Sequence, residues 1–325
     1  MRIITSEDIR AHISMSDLIQ EVRRAYLLLK DGKSITPLRT VTDPGGNRPK
    51  LLYKPSYDCT NGQMAVKLLS QLRQTSPEGY PTIQGLIVLF DGIRNTILSV
   101  MDGRHVTALR TGAASGLASA LLSRKDSSVL AVFGAGAQAY TQIQAVLEVR
   151  DIRKVIVFDI IPAAVDRLIT YFSSLKKGIV FVKGIVERDL READIVCTVT
   201  NSKVPLFEAE YLKPGVHINA IGSFCRDMRE LPDGVFAGSS LYVDQQSACF
   251  AESGDIIWPL SAGLINDGNY RGEIVDLLTG RIQGRDSDER RTVFKSVGVA
   301  TQDLTVAQLI YETAERMDFG FNVNL

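Results

Sequence analysis

The segment from residue 129 to residue 159 limits the possible folds of this chain more than any other part of the sequence. An apolar run, Val129–Phe133, leads directly into the small residues Gly134-Ala-Gly-Ala-Gln-Ala139. A second apolar run, Val155–Phe158, ends on Asp159, which lies 25 positions after Gly134. This order predicts a strand, a tight turn, a helix and a second strand that ends on an acid.

The small residues of the turn suit the binding of a dinucleotide. Gly134 permits the tight turn, Gly136 lets a pyrophosphate approach the backbone, and Ala139 lets the helix pack closely on the strand. The beginning of the helix then offers N–H groups and the positive end of its dipole to the phosphates. An ordinary strand–helix turn that needs glycine is the alternative. The two strands, the helix and the acid together favour a dinucleotide site.

Asp159 also bears on the choice of cofactor. A carboxylate at this position accepts hydrogen bonds from the ribose hydroxyls and repels a 2′-phosphate. The residues that follow, Ile160-Ile-Pro162, provide no cation for such a phosphate, and the first arginine is Arg167. The sequence therefore favours NAD(H) over NADP(H).

Composition excludes several classes of protein. The 325 residues are 45% apolar, with 37 acidic and 37 basic side chains, so two domains are expected and a nucleic-acid or anionic-membrane surface is not. The charged beginning of the chain, residues 1–10, is unlike a signal peptide, and no apolar stretch approaches the length of a membrane span. The four cysteines form no CxxC pair, so neither a metal site nor a disulfide framework is expected. A cytoplasmic enzyme is the default expectation.

The segment before the dinucleotide motif has a different pattern. A helix is predicted over Met15–Lys30 from the spacing of its apolar residues. Four strand-like runs in succession then predict an antiparallel sheet rather than βαβ units. These runs are Lys50–Tyr53, Met64–Leu69, Ile83–Phe90 and Thr96–Met101.

Strands and helices alternate in the rest of the chain. A helix rich in small residues is predicted over Arg110–Leu122. Beyond the motif, strands are predicted at Ile195–Thr200, His217–Gly222 and Leu241–Asp244, and a last helix at Leu304–Arg316. The predicted fold class is α/β, with a Rossmann-type doubly wound parallel sheet after an N-terminal α+β domain.

Several stretches resemble the ornithine cyclodeaminase/μ-crystallin family, in the family's order and over essentially the whole chain. They are Pro37–Arg39, Val66-Lys67, Tyr80–Gly85, Thr107–Ala114, Gly134–Gln138, Ile221–Leu231 and Val293–Gly298. The resemblance implies a homodimer. It assigns residues 1–120 and 303–325 to a substrate-binding and dimerisation domain and residues 121–302 to the Rossmann domain. It also implies hydride chemistry on an α-amino or α-imino acid but leaves the substrate open, because the family is chemically mixed.

By the family pattern, Arg39, Lys67 and Arg110 converge on the substrate α-carboxylate and face the nicotinamide ring. Guanidinium groups can clamp a carboxylate in a bidentate way, and a lysine adds a mobile charge. Arg110 is expected to begin its helix, where the dipole helps to hold an anion. Lys67 lies in an apolar strand, where burial would lower its pKa and make proton donation plausible. Lys67 and Arg110 are the predicted catalytic residues, and exposed cations or local ion pairs are the alternative.

The resemblance and the strand ends also predict the cofactor site. Thr200 and Ser223 follow strands of the parallel sheet, where backbone and hydroxyl groups meet a cofactor. Ser296 matches the family's loop on the nicotinamide side. The full predicted set is Thr82, Arg110, Gly134, Gly136, Ala137, Gln138, Asp159, Thr200, Ile221, Ser223 and Ser296.

Departures from the cyclodeaminase pattern are equally informative. Cyclodeaminases have an aspartate where this chain has Phe224 and a glutamate where it has Leu52, so deamination with ring closure is disfavoured here. Phe224 is instead a predicted substrate contact. Lys54 shares a strand face with Leu52 and is a candidate contact that, with Arg226, would suit a second carboxylate. A lysine that snorkels at the strand end is the simpler interpretation.

Several other polar residues are assigned supporting roles. His105 is expected in a surface turn, whereas His217 and Cys197 are expected to be structural residues of strands. Three residues of one loop are expected to form an ion pair that brackets the cofactor: Asp227, Arg229 and Glu230.

The leading hypothesis is an NAD(P)H-dependent reductase of an α-imino acid. Its substrate would be a cyclic ketimine, such as Δ1-pyrroline-2-carboxylate or Δ1-piperideine-2-carboxylate, or a linear imine of a 2-oxo acid. An NAD-dependent amino-acid dehydrogenase, of the alanine or arginine type, is the second hypothesis. A non-catalytic, μ-crystallin-like ligand binder is disfavoured, because a mere binder does not need three cations to align an imine carbon.

Overall fold

The computed structural model describes residues 1–37, 39–46, 48–72 and 82–324. Of the family-like segments quoted above, Leu38, Tyr80 and Pro81 lie outside these residues. The strands are β1 (Arg2–Ile4), β2 (Ser34–Ile35), β3 (Thr40–Thr42), β4 (Lys50–Asp58), β5 (Gln63–Gln71), β6 (Ile83–Asp91), β7 (Thr96–Asp102), β8 (Val129–Phe133), β9 (Lys154–Phe158), β10 (Val180–Lys183), β11 (Ile195–Thr198), β12 (His217–Ala220), β13 (Ser240–Val243), β14 (Tyr270–Glu273), β15 (Thr292–Lys295) and β16 (Phe321–Asn322). The α-helices are α1 (Ser6–His12), α2 (Met15–Lys30), α3 (Gly103–Leu122), α4 (Ala137–Val149), α5 (Pro162–Leu175), α6 (Val186–Asp189), α7 (Gln246–Glu252), α8 (Gly254–Ser261), α9 (Ile274–Leu278) and α10 (Ala300–Met317).

The chain divides into two compact units. The first comprises Met1–Arg110 together with Val299–Leu325, and the second comprises Thr111–Gly298. Within the described residues, we find no helix that is both long and apolar enough to cross a membrane.

The first unit contains a mostly antiparallel sheet, in the order β16-β1-β7-β6-β5-β4-β2, with β3 also paired to β4. The four strand-like runs predicted from the sequence lie within β4, β5, β6 and β7, although β4 extends five residues beyond its predicted run. These strands pair antiparallel as expected. The helix predicted over Met15–Lys30 is α2, and Ser14 caps its N-terminus by accepting a hydrogen bond from the Asp17 N–H.

Helix α10 covers one face of this sheet, where it packs on β4, β5 and β6 and against α2. Side chains alternate between the two faces of each strand. Ala65 and Lys67 of β5 and Ile87 and Leu89 of β6 are therefore buried, whereas the residues between them are only half-buried. Lys67 thus lies on the buried face of β5, within its apolar central part, Met64–Leu69.

The second unit contains a sheet of eight parallel strands, in the order β10-β9-β8-β11-β12-β15-β13-β14. Its faces are covered by two apolar clusters, and alternate residues of β8 contribute to each. Leu130 and Val132 pack with residues of α4 and α5, while Ala131 and Phe133 pack in the other cluster. The order of the strands reverses at β8, which is where doubly wound sheets bind their ligands. The predicted α/β class is confirmed.

Two predicted helices begin earlier than expected. Helix α3 begins at Gly103, because the Asp102 carboxylate accepts a hydrogen bond from the His105 N–H at 2.9 Å and so satisfies the first turn. Arg110 therefore lies about two turns inside the helix, and the expectation that it begins the helix is wrong. His105 lies in the first turn and is half-buried rather than on a surface turn, and burial lowers its pKa to about 4. The last helix, α10, begins at Ala300 rather than Leu304.

Candidate active site

In the first unit, two residues that were predicted to bind the substrate carboxylate form ion pairs with the same acidic residue. Lys67, in β5, and Arg110, in α3, both form ion pairs with Asp303, in the first turn of α10. The Lys67 Nζ lies 2.7 Å from Asp303 Oδ2, and the Arg110 Nε lies 3.1 Å from Asp303 Oδ1. None of the three side chains is more than 7% exposed. These three residues form a buried cluster, called the Lys67 cluster below.

The Lys67 cluster is held in place by neighbouring groups. Asp303 lies near the positive end of the α10 dipole, which favours a carboxylate. Gln302, the preceding residue, accepts a hydrogen bond from Arg110 Nη1 at 3.2 Å and donates one to the Tyr26 hydroxyl at 2.8 Å. The arginine is thus held through two of its nitrogens, and α10 is tied to α2.

Burial and charge shift the pKa values of the cluster in definable directions. Burial lowers the pKa of Lys67 from 10.5 to about 7; the attraction of Asp303 opposes this shift, and the charges of Arg110 and Lys54 add to it. Burial alone would raise the pKa of Asp303, but the positive charges of Lys67, Arg110 and Lys54 outweigh it and lower that pKa. Lys67 can therefore exchange a proton near neutral pH, whereas Asp303 stays ionised.

Lys54 and Arg39 lie on neighbouring strands of the same sheet. Lys54 is the cross-strand partner of Lys67, is half-buried, and is close enough to affect the pKa of both Lys67 and Asp303. Arg39 is half-buried and immediately precedes β3, whose first residue, Thr40, pairs with Tyr53 of β4. The convergence of Arg39 on the Lys67 cluster stays a prediction.

Asp303 is the functional candidate that the sequence analysis missed. A signal was present, because Asp303 is the sole charged residue between Ser296 and Tyr311 in the sequence, and the residues around it are apolar or neutral. A lone carboxylate on a buried helix requires a cationic partner. The sequence could not identify Lys67 and Arg110 as the partners, because they lie about 190 to 240 positions away.

The second unit forms the predicted glycine turn between β8 and α4. Gly134 has φ +100°, and a Cβ on it would lie 2.9 Å from the Val199 carbonyl oxygen, so glycine is required there. Gly136 is the N-cap of α4; among the described residues no side chain caps this helix, and a Cβ on Gly136 would meet no atom within 4 Å. The side of Gly136 that a Cβ would occupy is therefore open, which suits the close approach of a pyrophosphate to the backbone beside the first turn of α4. Ala137 begins α4, and the Oε1 atom of Gln138 is buried without a hydrogen-bond partner in the described part of the chain.

Asp159 lies at the end of β9, beside the glycine turn. Its Oδ2 accepts a hydrogen bond from the Ala135 N–H at 2.6 Å, and its Oδ1 accepts one from the Ile161 N–H at 2.8 Å. These bonds fix the direction of the carboxylate, while the neighbouring Ile160 is 96% exposed. The residues of the turn thus fit a dinucleotide: helix N–H groups for the phosphates and a fixed carboxylate for the ribose.

The hydroxyl groups of the predicted nicotinamide-side serines are engaged within the second unit. Ser223 donates to the Met228 carbonyl at 2.8 Å, and Ser296 donates to Asp244 at 2.7 Å. Ile221 is buried. These residues therefore offer backbone groups, rather than free hydroxyls, to a ligand. Thr82, in the first unit, immediately precedes β6, and its carbonyl accepts the Leu72 N–H.

The loop after β12 differs from its prediction. Phe224 is half-buried against the core of the second unit, and Arg226 donates to the Ala251 carbonyl at 3.1 Å. The three loop residues expected to form one ion pair have separate partners, so that expectation is wrong. Asp227 pairs with Lys203 at 2.9 Å, Arg229 pairs with Asp233, and Glu230 is fully buried. The reason is that the loop turns Glu230 inward, beneath the ends of the strands.

Two further interpretations of single residues are confirmed. His217 is fully buried, with its ring nitrogens hydrogen-bonded to Thr292 and Asn219, and burial lowers its pKa to about 3. Cys197 is fully buried in β11, where it packs in the apolar core. Both residues have the structural roles predicted for them.

The parallel sheet, the glycine turn and the acid after β9 define the second unit as a Rossmann-type dinucleotide-binding domain. The first unit adds a buried lysine–carboxylate–arginine cluster. The chain belongs to the ornithine cyclodeaminase/mu-crystallin family, whose model matches residues 1–318.

Similar proteins extend over the whole chain. A Delta(1)-pyrroline-2-carboxylate reductase of Bacillus cereus is 32% identical over 321 residues, which are 98% of each protein. The structure of Thermococcus litoralis Delta(1)-pyrroline-2-carboxylate reductase, in complex with NADH and L-proline, is similar with a TM-score of 0.93 and 37% identity, covering 99% of this chain and 100% of that one. An archaeal alanine dehydrogenase dimer with bound NAD has a TM-score of 0.91 and 31% identity, covering 100% and 99%.

Proposed function

We propose that this protein is an NAD(P)H-dependent oxidoreductase that reduces the C=N bond of an α-imino acid, with a cyclic ketimine such as Δ1-pyrroline-2-carboxylate as the first substrate to test. The observation that supports this most strongly is the Lys67 cluster, a buried amine whose pKa is lowered to about 7 beside a guanidinium group. The similar pyrroline-2-carboxylate reductases support the same substrate class.

The residues of the first unit have distinct roles in this reaction. Arg110, with Lys54 and Arg39, supplies positive charge to bind the substrate carboxylate. Protonated Lys67 donates its proton to the imine nitrogen and becomes a neutral amine, and Asp303 keeps Lys67 oriented and favours its charged form. A nicotinamide held by the second unit would supply the hydride for the imine carbon, and with the proton from Lys67 the C=N bond would become CH–NH. Solvent then returns a proton to Lys67.

A panel of direct NADH-oxidation assays with different imines tests the function. We expect NADH absorbance at 340 nm to fall when the protein is mixed with Δ1-pyrroline-2-carboxylate or Δ1-piperideine-2-carboxylate, and the product to be the cyclic amino acid. Release of ammonia from alanine with NAD, without reduction of either cyclic imine, would instead identify an amino-acid dehydrogenase. Tight NADH binding without turnover of any imine or amino acid would contradict the enzymatic proposal.

The cofactor preference is proposed to be NAD(H), and exchange of two residues after β9 tests it. Asp159→Ser with Ile160→Arg removes the carboxylate that repels a 2′-phosphate and adds a cation at a position that is 96% exposed. The ratio of kcat/KM for NADPH to that for NADH is expected to rise by about 10–100-fold. This is the free energy of one or two charge-assisted hydrogen bonds from the new arginine to the 2′-phosphate. Steady-state kinetics with both cofactors measure it. Asp166→Ser, which removes an exposed acid of α5, is the control and should leave the ratio unchanged. An unchanged ratio in the double variant would refute the role of Asp159.

We further propose a homodimer that uses the sheet face opposite α10. This face carries apolar side chains that are half-buried or exposed, around a groove of about 260 Å³. Its lining residues include Ile35, Pro55, Tyr57, Met64, Val66 and Phe90. An apolar surface of this kind on a strand-rich face marks an interaction site. The similar alanine dehydrogenase is a dimer, which favours a second copy of the chain as the partner.

A single charge in this groove tests the dimer. Val66→Glu places a carboxylate among apolar side chains, and we expect the dimer to dissociate at concentrations where the wild type is dimeric, because an unpaired charge is costly to bury. Light scattering after size-exclusion chromatography measures the mass. Val180→Glu is the matched control, because Val180 is a strand valine of the second unit that is 56% exposed. A Val66→Glu protein that remains dimeric would exclude this face as the interface.

A further inference from the structure

A second buried charge cluster lies in the Rossmann unit, at the carboxyl ends of its parallel strands. Glu230 is fully buried there and accepts four hydrogen bonds. Its Oε1 accepts from the Thr200 N–H at 2.6 Å and the Thr200 hydroxyl at 2.8 Å. Its Oε2 accepts from the Gly222 N–H at 2.7 Å and the Thr198 hydroxyl at 2.7 Å. One carboxylate therefore joins the end of β11 to the end of β12.

A third strand is connected to this carboxylate through Asp255. Asp255 Oδ1 accepts hydrogen bonds from the Glu230 N–H at 2.7 Å and the Leu231 N–H at 3.0 Å, which fixes the loop that carries Glu230. Asp255 Oδ2 lies 3.4 Å from the Nζ of Lys295, at the end of β15. Lys295 and Asp255 are both fully buried. The ends of β11, β12 and β15 are thus joined by two carboxylates and one lysine.

The charge state of this network follows from its partners. Burial is the main cause that raises the pKa of Glu230 to about 7, and repulsion from Asp255 adds to it, whereas Lys295 and the hydrogen bonds from Thr200 and Thr198 lower it. Each carboxylate oxygen meets a fixed backbone N–H donor. These two N–H donors therefore favour the ionised form of Glu230, because each of its oxygens must accept a hydrogen bond.

The cost of this network argues against a purely structural role. Two carboxylates and a lysine lose their hydration when fully buried, and apolar residues of similar volume often stabilise a core equally well or better. The network lies at the ligand-binding edge of a doubly wound sheet. Four proposed cofactor residues follow the strands that it joins: Thr200, Ile221, Ser223 and Ser296. Polar groups at such a position are expected where backbone geometry must be exact for a ligand.

We propose that Glu230 is a positioning residue, which fixes the loops after β11 and β12 in the geometry that holds the nicotinamide half of the cofactor, with Asp255 and Lys295 fixing Glu230 in turn. This inference rests on the proposed function, because it presumes a nicotinamide dinucleotide in the Rossmann unit. It assigns the glycine turn after β8 to the other half of the cofactor, since the hydrogen bonds that the Glu230 carboxylate accepts come from Thr198, Thr200 and Gly222.

The isosteric variant Glu230→Gln tests this role. A glutamine amide must place its NH₂ group against either the Thr200 N–H or the Gly222 N–H, so neither orientation restores the network. We expect the Kd of NADH to rise by about 10–100-fold, as for one or two lost hydrogen bonds to a charged group. The Kd of ADP-ribose, which lacks nicotinamide, should change by less than about threefold, because the glycine turn is intact. Titration calorimetry with both ligands measures the split.

Two further variants keep the test decisive. Thr198→Val removes one hydroxyl partner of Glu230 and should weaken NADH binding less than Glu230→Gln does, again without an effect on ADP-ribose. Asp194→Asn is the matched control: Asp194 is also a buried carboxylate that accepts two backbone N–H groups, from Ser128 and Val129, but it lies at the opposite ends of the strands. Its replacement should lower the melting temperature without changing the ratio of the two Kd values.

The outcomes separate this inference from the proposed function. Equal weakening of NADH and ADP-ribose by Glu230→Gln, or unchanged NADH binding, would overturn the positioning role while leaving the proposed function in place. If Glu230→Gln does not fold, the same two results for Thr198→Val decide. A wild-type protein that binds neither ligand would overturn the proposed function itself.

Discussion

Replacement of Lys67 by methionine is expected to lower kcat for imine reduction by about 10²–10⁴-fold, the usual contribution of a positioned general acid. Lys67 is 3% exposed and forms an ion pair with Asp303 at 2.7 Å, so solvent is poorly placed to replace it as the proton donor. The KM for the imino acid should rise far less, because Arg110 still provides charge for the carboxylate. Steady-state kinetics of NADH oxidation measure both constants. An unchanged kcat with a raised KM would show that Lys67 only binds.

The pH dependence of the wild type gives an independent measurement of the same role. The pKa of Lys67 is lowered to about 7, and the protonated form is the donor, so kcat/KM for reduction should fall as the pH rises through about 7. The reverse oxidation needs the neutral amine and should instead increase through that pH. Lys54→Met removes one of the positive charges that lower this pKa, so the inflection should move to higher pH. A rate of reduction that is independent of pH around 7 would contradict the assignment.

Replacement of Asp303 by asparagine is expected to have the largest effect on stability, a loss of about 3–5 kcal/mol, as for one partner removed from a buried ion pair. Lys67 and Arg110 would both remain buried without the carboxylate that now pairs with them. The attraction that favours protonated Lys67 would also disappear, so the pKa of Lys67 should fall below its wild-type value of about 7. A smaller fraction of Lys67 would then carry a proton at neutral pH. The inflection in the reductive pH profile should therefore move to lower pH.

The control for Asp303→Asn is a second buried carboxylate in the same unit. Asp58 is fully buried and accepts hydrogen bonds from Thr60, Arg24 and Gln308. Asp58→Asn should also lower the free energy of unfolding, measured by denaturant titration, but should leave the inflection where it is in the wild type. If Asp303→Asn loses stability without any shift of the inflection, Asp303 is a structural residue and not the partner that sets the pKa of Lys67.

Much of the fold could be predicted from short-range patterns. The run from Val129 to Asp159 implied two strands, a glycine turn and a helix, because apolar periodicity and the steric needs of glycine act over a few residues. The limits of α3 were less predictable. Its first turn depends on a hydrogen bond from the His105 N–H to Asp102, and this bond moved Arg110 from the helix start to its interior. Strands β10 and β14 were not predicted, since both are short strands at the edges of the sheet and neither is a buried apolar run.

The candidate functional residues likewise divide into those that a local sequence pattern identifies and those that depend on distant partners. Lys67, Arg110, Gly134 and Asp159 could be selected from the sequence, because each belongs to a local motif or interrupts an apolar strand. The partners of Asp303 and Glu230 could not be predicted, because Asp303 pairs with residues about 190 to 240 positions away and Glu230 with the ends of two other strands.

Patterns within the sequence are therefore enough to predict the class of fold and the kind of chemistry: a dinucleotide turn, a parallel sheet and cations suited to a carboxylate. The burial of the charged side chains, and the partners that they meet there, depend on contacts between distant segments of the folded chain. Chain folding buries Lys67 against Asp303 and Glu230 against Thr200 and Gly222, and burial removes the hydration that would otherwise stabilise their ionised forms.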